Sequence, residues 1–240
     1  MLNTKYRKKA GNLLGLFSER PRGYLLPAEK LNLLQCTHES LWSDWFECAE
    51  SSIDRQWAEH IWPLISLFDF SKVLELSPGG ERNTARLCKV AGSIIAVDLN
   101  QYALDKCRET LGEIHLGCTI SYRKNNGVDL RMIPKKSVTA VYCWDSAVHF
   151  ETTILDSYIH EFSRVLTSGG RGFLNHSTLG ETAHRDIKRN PGWRSNASIN
   201  SVAESCTAAN LRVLHHESFP RYEADSNSIL VQDAALVFER

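Results

Sequence analysis

From Lys72 onward, short apolar runs alternate with longer amphipathic stretches, a rhythm that predicts strands and helices in turn. Val73-Leu74-Glu75-Leu76 and Ser93-Ile94-Ile95-Ala96-Val97 read as buried strands, followed by helical patterns over about 82–90 and 101–111. Further strands are predicted at Thr119–Arg123, Val138–Trp144, Gly172–His176, Leu211–Glu217 and Ile229–Glu239. Helical spacing recurs over 152–166 and 199–209, and Ser168-Gly169-Gly170 is expected to break the chain before the next strand. This alternation specifies an α/β fold: a Rossmann-like, seven-stranded, mostly parallel sheet with helices on both faces. The last strand follows its predecessor without room for a crossover helix, so it is expected to be antiparallel.

Upstream, Ile53, Trp57, Ile61 and Leu64 or Ile65 recur at helical spacing through residues 52–68, with Pro63 expected to kink the helix. Residues 1–51 lack the rhythm; Pro21, Gly23 and Pro27 interrupt them, and Tyr24, Trp42, Trp45 and Phe46 are scattered through. They read as an extension or lid, with a helix over about 40–49, that either covers a sheet edge or reaches the substrate. The folded domain is therefore expected over 52–240.

Composition narrows the partners. Formal net charge is zero across 240 residues, which argues against nucleic acid and against attraction to a membrane surface. No apolar run approaches the roughly 18 residues that would predict membrane insertion. The cysteines (36, 48, 88, 107, 118, 143 and 206) form no CxxC pair, so neither a zinc ribbon nor a disulfide framework is expected. A reducing, cytoplasmic setting follows from that usage. A homo-oligomer is left open.

The candidate chemistry centres on Lys72–Leu87. An apolar strand carrying Glu75 runs into Ser77-Pro78-Gly79-Gly80, and a helix follows. Backbone N–H groups and bare glycine surface there let a nucleotide-like ligand lie against the main chain. Asp98, about 20 residues on at the end of the second strand, sits where an acid accepts hydrogen bonds from both ribose hydroxyls.

With these elements placed, residues 52–240 resemble the class I S-adenosylmethionine-dependent methyltransferases. Glu75-Leu76-Ser77-Pro78-Gly79-Gly80 is similar to that family's first motif, an acid followed by alternating glycines. Asp98 resembles its second-strand acid, and Asn125-Asn126-Gly127-Val128-Asp129-Leu130 its adenine-reading loop. Cys143-Trp144-Asp145 resembles the fourth motif, and Arg164-Val165-Leu166-Thr167-Ser168-Gly169-Gly170 the R-V-L-x-P-G-G signature. Two positions depart from the pattern: Ser77 and Glu81 stand where the family has its first and third glycines. More narrowly, Trp144 to Phe150 and Asn175-His176-Ser177 resemble a bacterial subgroup associated with sugar and polysaccharide O-methylation.

The resemblance implies S-adenosylmethionine as cofactor, held by Glu75, Ser77, Gly79, Asp98, Asn126, Gly127 and Cys143. Ligands of open α/β sheets bind beyond the carboxyl ends of the strands, where Asp145, His149 and His176 fall. A hydroxyl acceptor is protonated at neutral pH, so a base is needed, and histidine titrates in that range. His149 is the expected base, Asp145 its orienting partner or a substrate contact, and His176 a second contact or alternate base. Trp144, Trp193 and Arg194 are candidate contacts to a sugar, glycan or other small-molecule acceptor. A divalent metal on Asp145 with His149 or His176 is not favoured, because too few oxygen ligands accompany them. A nicotinamide-dependent oxidoreductase and a non-catalytic cofactor-binding module are the alternatives.

Overall fold

The computed structural model describes residues 53–183, 194–222 and 229–240. The segment 1–51, with its expected helix and lid role, lies outside the described residues, as does Trp193. One eight-stranded sheet organises the rest, in the order β3-β4-β2-β1-β5-β6-β8-β7. Its strands are β1 (Val73–Leu76), β2 (Ser93–Asp98), β3 (Ile114–His115), β4 (Cys118–Lys124), β5 (Val138–Cys143), β6 (Leu166–Ser177), β7 (Arg212–Tyr222) and β8 (Ile229–Glu239). β1 pairs in parallel with β2 and β5, β2 with β4, and β5 with β6. The last strand, β8, is antiparallel to both β6 and β7, as the absence of a crossover required.

Helices α1 (Ile53–Gln56), α2 (Trp62–Ile65), α3 (Arg82–Leu87), α4 (Gln101–Leu111), α5 (Thr152–Val165) and α6 (Ile199–Ala208) cover the sheet. On one face, Leu74, Leu76, Val141 and Cys143 meet Leu155, Tyr158, Ile159, Phe162 and Val202. On the other, Val73, Ile94, Ala96 and Tyr142 meet Ile53, Ile61, Ile65, Leu87, Leu104 and Cys107. Burial on both faces explains why β1 reads as nearly continuous hydrophobicity, with Glu75 the exception.

Local chemistry sets the helix ends. The Asn100 side chain accepts the Tyr102 N–H at the start of α4, and Gly112, at φ 68°, ends it. Ser198 caps α6 and exchanges hydrogen bonds with Ser201. Between α1 and α2 the chain makes a π turn, Trp57–Ile61, immediately before Pro63, so the expected kink takes the form of a wider turn.

Two sequence expectations are corrected. The sheet gains β3, which closes onto β4 through a tight turn with Leu116 at φ 51° and Gly117 at φ 84°. Ser168-Gly169-Gly170 does not separate helix from strand; β6 begins at Leu166, directly after α5, and runs through the glycines. Further along β6, a Cβ on Gly172 would lie 2.1 Å from Phe238, so only glycine lets β6 and that ring pack. Arg164 explains the conservation-independent part of its motif: its guanidinium donates to the carbonyls of Ile133 and Leu130, each at 2.8 Å, pinning the loop before β5.

Candidate active site

The glycine turn lies at the carboxyl end of β1 and is strained at its non-glycine positions. Ser77 sits at φ 58°, Gly79 at 62° and Glu81 at 92°. The first and third are the two positions that depart from the glycine pattern, so the left-handed backbone is kept although a side chain opposes it. The Ser77 N–H donates to the Val97 carbonyl at 2.7 Å, which holds the turn against β2.

Glu75 is the only charged residue in β1 and is 1 % exposed. The Thr84 hydroxyl serves its carboxyl group, yet Oε2 has no hydrogen-bond partner. Burial, with Asp98 nearby, pushes Glu75 up to about 8. Asp98 ends β2 beside it and is tied by backbone N–H groups of Gly79, Leu99 and Asn100, the last at 2.8 Å. Burial outweighs those bonds and raises Asp98 to about 6. The glycine turn and the second-strand acid are therefore one bonded unit.

In the loop after β4, Asn126 is exposed and accepts the N–H groups of Val128 and Asp129, both at 3.0 Å. Its amide nitrogen donates to Asp129. The side chain expected to read adenine is thus engaged by its own loop. Gly127 follows at φ 79°, its N–H donating to Asn125 Oδ1, and Asn125 reaches Tyr158 from the buried side. Cys143 is fully buried at the end of β5, its thiol pushed up to about 12 by desolvation.

Beyond β5 the chain turns at Asp145, whose φ is 62°. Arg82, from the first turn of α3, donates to Asp145 Oδ2 at 2.9 Å, and both side chains are about nine-tenths buried. The Asp145 N–H donates to Asn175 Oδ1 at 2.7 Å. Neither Arg82 nor Asn175 was among the expected site residues. A signal for Arg82 was available, because a cation at a helix N-terminus opposes the macrodipole and calls for a specific partner. His149 follows in the turn Ala147–His149 and is partly exposed.

Three expected residues are placed elsewhere. His176 is fully buried; its Nδ1 bonds the Ser177 carbonyl and its Nε2 meets His216 Nε2, each at 2.7 Å. A carbonyl accepts only, so Nδ1 carries the hydrogen and His216 donates to Nε2. Desolvation lowers His176 to about 4, leaving it neutral and occupied rather than available as a base. Successive strand residues face opposite sides, so Asn175 meets Asp145 while His176 turns away. Trp144 is packed rather than presented: it stacks between Phe173 and Phe219, and its Nε1–H donates to Gln56. Arg194 makes a two-pronged ion pair with the fully buried Asp233, at 2.8 and 2.9 Å. Among the described residues, no group of three or more His, Cys, Asp or Glu side chains is arranged to hold a metal ion. No described helix is long and apolar enough to cross a membrane.

Residues 73–170, which span the glycine turn, both strand-end acids and the Arg164 motif, match the family model described as a methyltransferase domain. The chain carries a methyltransferase domain. Solved structures agree on the fold of the S-adenosylmethionine-dependent class I enzymes. Geranyl diphosphate C-methyltransferase of Streptomyces coelicolor A3(2) superposes with a TM-score of 0.64 at 14% identity, covering 98% of this chain and 97% of that one. An S-adenosylmethionine-dependent methyltransferase of Mesorhizobium loti gives 0.60 at 13% identity, covering 75% and 97%. The cyclase SpnF gives 0.61 at 15% identity, covering 82% and 83%. A search of curated proteins gave no match.

The residues of this methyltransferase domain fit S-adenosylmethionine. Glu75 Oε2 is a buried carboxylate oxygen without a partner, which a cationic ligand would stabilise. Glu81 stands at the start of α3, where dinucleotide folds seat a phosphate, and a carboxylate there suits a ligand without phosphates.

Proposed function

We propose that the protein transfers a methyl group from S-adenosylmethionine to a hydroxyl of a sugar, glycan or related small molecule. The observation that carries this reading is the acidic set Glu75, Glu81 and Asp98 around a bonded glycine turn, with Arg82 committed to Asp145. That set favours a cationic, phosphate-free nucleoside over a dinucleotide. When bound, S-adenosylmethionine supplies a methyl carbon made electrophilic by a positively charged sulfur.

The chain's own residues then have distinct tasks. Asp98 accepts from the ribose hydroxyls, Glu75 compensates the charge of the amino-acid end, and the backbone of Ser77, Gly79 and Gly127 borders the nucleoside. Cys143, wholly buried, shapes the end of β5 from beneath. Asp145 is fixed from two directions, by Arg82 and by Asn175, so the mouth of β5 is rigid where the acceptor must be aligned. His149, one turn later and open to solvent, takes the hydroxyl proton as the oxygen gains its methyl group. His176, buried against His216, supports β6 instead.

Replacing His149 with alanine is expected to lower turnover by about 10²–10⁴-fold while S-adenosylhomocysteine affinity stays within about twofold of wild type. Labelled S-adenosylmethionine with fractionated glycan and metabolite pools supplies the acceptor for that assay. Undiminished turnover in the variant would reject His149 as base, and a labelled product methylated on carbon would reject the hydroxyl acceptor. The carbon alternative is concrete because the Streptomyces coelicolor protein of the same fold is a C-methyltransferase.

A further inference from the structure

We propose that binding of the cofactor's charged amino-acid end expels a proton from Glu75, so that the unliganded site is neutral at this position and becomes anionic only when the ligand arrives. The proposal rests on the reading of S-adenosylmethionine as cofactor and concerns how the site responds to it.

The geometry leaves Glu75 without means to hold a charge alone. Its carboxyl group lies on a central strand flanked by Ala96 of β2 and Tyr142 of β5. It is 1 % exposed, and Oε2 meets no donor. The groups facing it from each packed element are polar or neutral, with few exceptions. From α3 come the Thr84 hydroxyl and the Cys88 thiol, and from α4 the Cys107 thiol; β4 adds Cys118. Burial raises all these thiols, so none carries charge at neutral pH. Tyr142 is likewise raised, and its hydroxyl donates to Asn83. The neighbouring acids are Asp98 at the end of β2, Glu81 near Cys107, and Asp145, all of which oppose a further negative charge. Arg82 is the cation acting on Glu75, and its guanidinium donates to Asp145.

Under these conditions the protonated acid is the stable form, and its ordinary carboxylate range is displaced to about 8. A ligand ammonium brought to the glycine turn reverses the balance, because charges interact far more strongly in a desolvated site than in water. The carboxyl proton then leaves to solvent. Asp98 contributes little at pH 7, since at about 6 it is already mostly ionised.

Titration calorimetry of the full chain with S-adenosylhomocysteine, in phosphate and in Tris at pH 7, reads the proton directly. The expected result is an apparent heat that depends on buffer ionisation and reports close to one proton released, falling towards none at pH 9. 5′-Methylthioadenosine keeps the nucleoside and thioether but lacks the amino-acid end, and is expected to bind with no release. Glu75→Gln is expected to bind S-adenosylhomocysteine without release at pH 7. Should that variant fail to fold, the wild-type affinity itself decides: it is expected to rise about tenfold for each pH step below about 8 and then level. Buffer-independent heat in the wild-type protein would overturn the proposal, as would release that persists in Glu75→Gln or appears equally with 5′-methylthioadenosine. Absence of any S-adenosylhomocysteine binding overturns the cofactor reading itself, and this proposal with it.

Discussion

Ser77→Gly is expected to stabilise the protein, against the usual tendency of glycine to weaken a fold. Ser77 holds φ 58° while its N–H is bonded to the Val97 carbonyl at 2.7 Å, so the residue cannot relax without surrendering a sheet-end hydrogen bond. A left-handed conformation costs an L-residue roughly 1–2 kcal/mol. Glycine removes that cost but adds about 0.4–1 kcal/mol of unfolded-chain freedom. The net expectation is a gain of about 0.5–1 kcal/mol, or a Tm rise of roughly 1–4 °C for a chain of this size. Urea unfolding with an unchanged m-value, together with thermal melts, measures it. Ser77→Ala keeps the Cβ and loses only the hydroxyl, so it is expected within a few tenths of a kcal/mol of wild type, flagged here as about 0.3. Ser77→Val, branched at Cβ, is expected to fall about 1–2 kcal/mol below it. A glycine variant no more stable than the alanine variant would refute the argument from backbone strain.

Other perturbations follow from the same geometry. In the unliganded protein Glu75 is raised from 4.5 to about 8, so its contribution to stability is full below about pH 4.5 and is lost as pH rises through 8. That displacement is worth on the order of 5 kcal/mol, and Glu75→Gln is expected to flatten the decline in urea unfolding measured between pH 5 and pH 9. Arg82→Gln leaves the Asp145 carboxylate buried without its cation and is expected to cost about 3–5 kcal/mol by chemical denaturation, with Arg82→Gln combined with Asp145→Asn recovering part of the loss. Gly172→Ala places a Cβ against the Phe238 ring and is expected to destabilise by about 1–3 kcal/mol, with Phe238→Leu restoring stability in the double variant.

The alternation of strands and helices was legible because each element is long enough to show its period, and the reversed last strand because a connection length is a sequence property. The β6 boundary was not legible. Two glycines read as punctuation, yet Gly170 lies in the strand with the Thr139 and Thr167 carbonyls each 3.0 Å from where its Cβ would be. Close approach across a sheet is a tertiary fact that composition does not encode. Which residue of Asn175-His176 faces the site was equally hidden. Residues 172–177 are buried throughout, so polarity does not reveal the strand's phase, and the more reactive residue type attracted the assignment. Asn126 was misleading for a different reason: an Asn-Gly pair carries the same letters whether its amide meets a ligand or closes its own turn.

Strain and charge are concentrated on the same few residues, and that coincidence has a mechanical consequence. Ser77, Glu81 and Asp145 all hold left-handed backbones, at φ 58°, 92° and 62°. They border the end of β1, the start of α3 and the end of β5, which are joined through Arg82 and Asp145. Each such residue stores on the order of 1–3 kcal/mol that the surrounding structure must hold in place. The restraint is visible: the Ser77 N–H is bonded to β2, and the Asp145 N–H to Asn175 on β6. A turn tied to the strands on either side of it does not open to admit a ligand by local flexing. Recognition at this end of the sheet therefore depends on groups already in position, and the response left to the site is a change of protonation rather than of shape. Glu75, held on β1 beneath the turn, is the group whose charge is free to change.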